Sequence, residues 1–287
     1  MFLSILLMMA LHVNAQTDNV QIYNKEITLD KVEIKQYGLS LIDTAFIDTF
    51  KLNNLMDNLE DTIYQDAQDA HFDENGTIVE EKPGITLDRQ AFVHLFRNLY
   101  YSEDKGKLKV PEASVYPKVD SGLLKEISVY ELGRYVTFYK KSNAERSHNI
   151  YLAAEAINNT VIFPGETFSF NDVVGERTTE RGYKRAPVIV KGELSEDIGG
   201  GICQVSSTLY NAVDLKGVQI VERYAHSRRV PYVPPGRDAT VSWWGPDFVF
   251  KNLYNEPILI RAKSANGQMV VTIHSSETVE YFSGNGD

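Results

Sequence analysis

The sequence predicts an α+β protein of two domains: a small acidic N-terminal α+β domain, and a C-terminal α+β domain whose cysteine-bearing helix packs on a mainly antiparallel sheet. Three observations carry this expectation. Apolar residues recur at helical spacing over 44–70, 88–99, 147–158 and 202–213. Between these stretches lie short runs of β-branched and aromatic residues, bounded by turn dipeptides, that suit strands. Near residue 142 the composition shifts, and glycine, aromatic and β-branched residues become denser. A chain of 287 residues is long enough for two modest domains. Its 43% apolar and 24% charged content argues against disorder over most of the length.

Residues 1–15 read as an export segment. Positions 2–13 are almost wholly apolar, too short to cross a bilayer as a helix, and end in Val13-Asn14-Ala15, where a signal peptidase would cut. No Lys or Arg precedes the run, so it is an atypical signal peptide or the remnant of a membrane anchor. Either one places the rest outside the cytoplasm, with membrane contact only through that anchor.

The first domain is expected over 16–141, including a linker strand. Phe46, Ile47, Phe50, Leu52, Leu55, Leu59 and Ile63 trace a helix within 44–70. Asn75-Gly76 reads as a tight hairpin turn and Pro83-Gly84 as a second turn. Asp88 caps a helix with the apolar stripe Phe92, Leu95, Phe96 and Leu99. The strand-like run 108–119 contains Pro111 and Pro117, which confine it to a sheet edge. Residues 127–142 form the linker strand. This part of the chain shows no catalytic cluster.

The second domain is expected over 142–276, followed by a tail at 277–287. An alanine-rich helix at 147–158 leads to a turn at Pro164-Gly165 and strands at 167–170 and 187–191. Gly199-Gly200-Gly201 precedes a helix at 202–213 with the face Val205, Leu209, Ala212 and Val213. A strand at 218–224 runs toward His226. Several strands follow over 239–273, with turns at Gly245-Pro246, Tyr254-Asn255 and Ala265-Asn266-Gly267.

Charge and histidine placement narrow the function. A net charge of −10 without a Lys/Arg cluster excludes a nucleic-acid partner and removes electrostatic attraction to anionic lipid. The histidines at 71, 94, 148, 226 and 274 lack ligand spacing, so neither a metal nor another cofactor is expected.

The chemistry concentrates around the single cysteine, Cys203. One cysteine in an exported chain cannot form an internal disulfide, so its thiol is buried or used. Three glycines cost backbone entropy and offer no side chain to a core, which suits a sharp turn or a close approach to a ligand. Cys203 then falls in the first turn of a helix. Free amides and the helix dipole there favour a thiolate, and amides near Gly200, Gly201 and Gln204 are candidates for an oxyanion hole. His226 follows on the next strand, in the order of papain-like sites, as the candidate base. A helix from 203, a turn at Lys216-Gly217 and an antiparallel strand back from Val218 would bring His226 to the helix start, and His274 is the competitor. Asp238 either orients the histidine or caps a turn. Ser206 and Ser207 suit packing and capping, and Arg177 and Arg228 either bind a substrate carboxylate or are solvated surface.

The block Gly-Gly-Gly-Ile-Cys-Gln-Val-Ser-Ser-Thr-Leu-Tyr-Asn at 199–211 resembles the VanW family, together with Val221–Ser227, Tyr232–Val241 and Asp247–Asn252. Upstream, Glu145-Arg146, Asn149, the motif at 164–171, Gly175 and Arg177 match as well, so the resemblance covers roughly 144–275. Residues 70–124 resemble more loosely the peptidoglycan-binding-like domain that often precedes this module. The family is named for an accessory gene of vancomycin-resistance clusters, and some members are regarded as peptidoglycan L,D-transpeptidases with a cysteine nucleophile at the position of Cys203. The resemblance thus implies a cysteine acyltransferase that joins peptidoglycan stem peptides through a thioester. Its alternatives are a cysteine peptidoglycan peptidase and a non-catalytic wall-binding or glycopeptide-resistance accessory protein.

Overall fold

The computed structural model describes residues 19–39, 43–103, 106–190 and 193–282. The apolar run at 2–13 and the last five residues of the tail lie outside them. Among the described residues no helix is long and apolar enough to cross a membrane. The chain divides into two compact units: the first combines residues up to Asp69 with Glu81–Lys118, and the second combines Ala70–Glu80 with Val119 onward.

The first unit contains β1 (Asn19–Asn24), β2 (Ile27–Glu33), a 3-10 turn (Ile34–Tyr37), β3 (Gly38–Leu39), β4 (Asp43–Ile47) and α1 (Thr49–Ile63). The chain then contributes the hairpin β5 (His71–Phe72) and β6 (Ile78–Val79) to the second unit. It returns with β7 (Gly84–Leu87), α2 (Arg89–Tyr101), β8 (Lys107–Lys109) and β9 (Glu112–Val115). The order of its main sheet is β2-β1-β8, and the pairs β3–β4 and β7–β9 are antiparallel. Asp48 and Asp88 cap α1 and α2, accepting amide protons from Phe50 and Lys51, and from Ala91. The expected helix within 44–70 therefore starts later: the residues before Asp48 are extended, and Phe46 and Phe50 stay exposed while Leu52, Leu55, Leu59 and Ile63 are buried. Along α2 the buried stripe is Phe92, Phe96 and Tyr100, and Leu95 lies outside it. No turn forms at Pro83-Gly84: Gly84 opens β7, where a Cβ would collide with the Gln65 carbonyl.

The second unit starts with the β5–β6 hairpin, whose loop is five residues long and is fastened by Asp73 accepting from the Asn75 and Thr77 amides. It continues with α3 (Ser121–Glu126), β10 (Tyr130–Phe138), α4 (Ala144–Ile157), β11 (Val161–Ile162), β12 (Thr167–Ser169), α5 (Phe170–Val174), β13 (Arg185–Val190) and β14 (Glu193–Ile198). Then come α6 (Ile202–Val213), β15 (Val218–Glu222), β16 (Val249–Asn252), β17 (Ile258–Ala265) and β18 (Gln268–Ser275). The strand expected over 127–142 forms as β10, the edge of an antiparallel sheet ordered β10-β18-β17-β11. A second antiparallel sheet has the order β12-β16-β15, and β13–β14 is a hairpin. The turn between β17 and β18 uses Asn266 and Gly267, both at positive φ, as a tight hairpin requires.

Helix α6 packs on β10, β18 and α4. Its Val205, Leu209, Ala212 and Val213 join Ile150, Ala153, Ala154 and Ile157 of α4 and the Ile260, Met269, Val271 and Ile273 side chains of the sheet in one buried core. At Gly133 of β10 a Cβ would collide with the Ala212 carbonyl, so helix and strand meet backbone to backbone. That close seating fixes the start of α6, where the cysteine lies.

Candidate active site

Each glycine before the cysteine has its own steric reason. Gly199 and Gly201 hold φ of 83° and 113°, in the left-handed region that favours glycine. Gly200 has an ordinary φ, but a Cβ there would stand 2.5 Å from the Ala186 carbonyl oxygen of β13. Its own carbonyl accepts a hydrogen bond from the buried Asn149 of α4. The run thus does serve packing, contrary to the expectation from its composition. It lets the chain turn between β14 and α6 while pressed against β13 and α4.

Cys203 follows in the first turn of α6 and is partly exposed. Its sulfur lies 3.7 Å from Thr240 Oγ1 and 3.4 Å from the Val241 carbonyl. The imidazole of His226 lies close enough to the thiol for each group to shift the other's protonation. On the other side of the ring, Nδ1 stands 2.7 Å from Asp238 Oδ2, and the His226 backbone amide donates to the same oxygen at 2.6 Å. With Nδ1 held by the carboxylate, Nε2 is the ring nitrogen left to exchange a proton with the thiol. Cysteine, histidine and aspartate therefore form one continuous line. Asp238 thus bonds both the ring and the backbone amide of His226. His274 lies elsewhere on β18, bonded to Thr272 and flanked by Glu131, Arg134 and Arg261.

The line is held by the segment 237–241, which is stitched along α6. Asn211 donates to the Arg237 carbonyl, Ser206 donates to the Ala239 carbonyl, and Ser207 accepts from the Ala239 amide. The Thr240 amide in turn donates to the Tyr224 carbonyl, which positions the backbone just before His226. Ser206 and Ser207 are fully buried and have this structural task, as their sequence context suggested.

The electrostatics favour a charged pair. Burial pushes the Cys203 thiol up, but the hydrogen bond and charge of His226, with bonds from Val241 and Thr240, outweigh it and leave the thiol below its ordinary value. Burial pulls His226 down, yet Cys203 and Asp238 hold it above its ordinary value. Asp238 is kept ionised by the two His226 hydrogen bonds despite its burial. The two shifts agree in direction: thiolate and imidazolium stabilise each other.

The other expected residues fall into two groups. Gln204 is buried and fully engaged: its side chain donates to Thr137 Oγ1 and the Phe138 carbonyl and accepts from Arg146, and its amide donates to the Gly201 carbonyl. It is framework rather than an oxyanion donor. The Ile202 amide is likewise spent on the Gly199 carbonyl, so the amides of Gly200, Gly201 and Cys203 are the remaining candidates. Arg177 comes within electrostatic reach of Cys203, whereas Arg228 is exposed two residues beyond His226. The site also contains two residues that periodicity and spacing do not single out. Arg146 of α4 reaches toward Cys203, and Tyr232 has its phenol beside Ser207, Cys203 and Asp238. Burial and the neighbouring negative charges push the Tyr232 hydroxyl far above its usual range, which keeps it a neutral hydrogen-bonding group. Both stand inside the motifs that resemble the VanW family, and that was the one signal for them.

Comparison with known proteins agrees with this placement. The family model described as VanW like protein matches residues 145–274, a span that contains the whole Cys203–His226–Asp238 line. The uncharacterized protein YoaR of Bacillus subtilis (strain 168) is 52% identical over 262 residues, 91% of this chain and 86% of that protein. The vancomycin B-type resistance protein VanW of Enterococcus faecalis (strain ATCC 700802 / V583) is 33% identical over 109 residues, 36% of this chain and 40% of that one. No solved structure matches the chain significantly. With its sequence motifs, the family match and a relative aligned over nearly its full length, the chain belongs to the VanW family.

Proposed function

We propose that the second unit is a cysteine acyltransferase of the bacterial cell wall, an L,D-transpeptidase that joins peptidoglycan stem peptides through a thioester on Cys203. The observation that carries this reading is the juxtaposition of Cys203, at the start of α6, with a His226 imidazole that is hydrogen-bonded to Asp238. In the first step the Cys203 thiolate attacks the carbonyl between the third residue of a stem tetrapeptide and its terminal D-residue. As the C–N bond breaks, the His226 imidazolium gives its proton to the leaving nitrogen, and a D-amino acid departs. In the second step the side-chain amine of a neighbouring stem attacks the thioester. His226 takes a proton from that amine, the thiolate leaves, and one amide has replaced another. Asp238 holds the ring in the required tautomer and stabilises its charged form. Amides among those of Gly200, Gly201 and Cys203 would receive the oxyanion. Export by the segment at 1–15 would place this chemistry at the wall, and the kinship with a vancomycin-resistance protein supports the same setting.

The test is incubation of the purified chain with a stem tetrapeptide donor and a stem acceptor carrying a free side-chain amine. A crosslinked dimer and released terminal D-residue are expected. Tripeptide and D-residue without dimer would make the protein a peptidase, and no turnover of any donor would make it a non-catalytic wall protein.

A further inference from the structure

Two arginines lie against the glycine run. A Cβ on Gly199 would stand 3.1 Å from Arg177 Cβ, and one on Gly201 would stand 3.0 Å from Arg146 Cγ. Both guanidinium groups come within electrostatic reach of the Cys203 sulfur, and both are substantially desolvated. They differ in what they hold. Arg146 Nη2 donates to Gln204 Oε1 at 2.9 Å. Arg177 Nη1 and Nη2 are both buried and take no hydrogen bond among the described residues. The Phe170 ring lies 5.7 Å from Arg177 Cζ, and Tyr183, Arg181 and Asp247 are its polar surroundings. Asp247 attracts it electrostatically, but forms no hydrogen bond or ion pair with it among the described residues: that carboxylate accepts from Ser169 Oγ and from the Asn171 and Phe248 amides.

A buried guanidinium without a hydrogen-bond partner is costly, and one kept within electrostatic reach of a nucleophile is placed to bind an anionic ligand. Two free terminal nitrogens on a planar fork match the two oxygens of a carboxylate. We propose that Arg177 is the carboxylate-binding residue of the donor site, gripping the free C-terminal carboxylate of the residue that leaves when Cys203 is acylated. This rests on the acyl-transfer reading of Cys203. In such a donor the carboxylate belongs to the residue just after the scissile carbonyl, about one Cα–Cα step of ~3.8 Å away, so an anion site adjoining the sulfur is where it must fall. Arg177 therefore makes the enzyme specific for a bond followed by a single, C-terminal residue. Arg177 sits on the irregular connection 175–184, where the side chain can be uncovered for the ligand without breaking a strand or helix.

The test compares alkylation of Cys203 by anionic iodoacetate and neutral iodoacetamide, each rate divided by that of free glutathione. The wild-type chain is expected to favour iodoacetate by roughly tenfold or more, the scale of one partly shielded charge pair. Arg177→Gln should lower the iodoacetate rate much more than the iodoacetamide rate and so remove most of that preference, and Arg177→Lys should retain part of it. In parallel, wild-type protein should turn over a donor tetrapeptide with a free C-terminal carboxylate and fail on its C-terminal amide. This second arm decides the matter if Arg177→Gln does not fold. An unchanged preference in Arg177→Gln, or equal use of the two donors, would overturn the subsite while leaving acyl transfer at Cys203 standing. A Cys203 inert to both reagents would remove the acyl-transfer reading and the subsite with it.

Discussion

In the first unit Arg89 reaches Asp57 and Glu60 at 2.5 Å each, and Thr86 adds a hydrogen bond to Glu60. Around Cys203 in the second unit, neither Arg146 nor Arg177 forms an ion pair with a carboxylate among the described residues. Both places look like functional charge clusters, and the first even borders an open hollow lined by Asp57, Glu60, Asp61, Tyr64 and Arg89. The difference lies in satisfaction and solvent. Arg89 is 42% exposed and its charge is balanced by neighbours, so the cluster is complete as it stands. The charges near Cys203 are desolvated, the thiolate and imidazolium balance each other, and a guanidinium fork is left over. A satisfied surface network contributes little and needs nothing more. An unsatisfied buried one is the place to look for a ligand.

Substitutions break this comparison with effects that fall in size. Cys203→Ala should remove several orders of magnitude of acyl-transfer rate and leave the circular dichroism spectrum unchanged. Retained crosslinking in that variant would make the thiol a packing residue. Asp238→Asn should lower the rate by roughly 10²–10⁴-fold, since the ring loses both its orienting acceptor and the charge that supports its imidazolium. The pH profile sharpens the point. Cys203 is shifted down and His226 up, and both shifts favour the thiolate–imidazolium pair. Iodoacetamide reactivity should begin to rise at a pH below that of an ordinary thiol. Transfer should fall on the alkaline side where His226 loses its proton. Because Asp238 raises His226, Asp238→Asn should move that alkaline limb to lower pH, and a limb that stays put would deny Asp238 its role.

Stability separates the glycines in the same graded way. Gly200→Ala forces a Cβ onto the Ala186 carbonyl, and thermal unfolding should show a loss of about 3 kcal/mol. Gly236 has φ of 76° but open space around it, so Gly236→Ala should cost about 1 kcal/mol. The smallest effect is expected from Arg89→Ala, at most about 1 kcal/mol with no change in transfer rate, as for other exposed ion pairs. A loss of transfer in Arg89→Ala would mean that the surface cluster takes part after all.

The second unit was more legible in the sequence than the first. Helix α6 is outlined to the residue by its apolar face, whereas the strand expected at 218–224 ends at Glu222 and leaves His226 in the segment that follows. The start of α1 was misplaced because Phe46 and Phe50 continue the apolar spacing, while the Asp48 cap alone decides where the helix begins. Local pattern reads Gly84 as a turn position and Gly200 as part of a sharp turn or a close approach to a ligand. Each is instead required by a backbone lying against it, a contact between distant segments that local pattern does not encode. Tyr232 and Arg146 escaped for the same reason: a loop tyrosine and a helix arginine acquire meaning from their distance to a sulfur far away in sequence. Gln204, next to the nucleophile in sequence, turned out to face inward because adjacent helical positions point about 100° apart.

The most direct test of the central claim is intact-protein mass spectrometry of the chain mixed with stem tetrapeptide in the absence of an amine acceptor. The account predicts a mass increment equal to the acyl tripeptide, confined on digestion to the peptide containing Cys203, absent from Cys203→Ala, and discharged when an acceptor stem is added. A donor that is consumed without any adduct on Cys203, or an adduct that persists in Cys203→Ala, would contradict it.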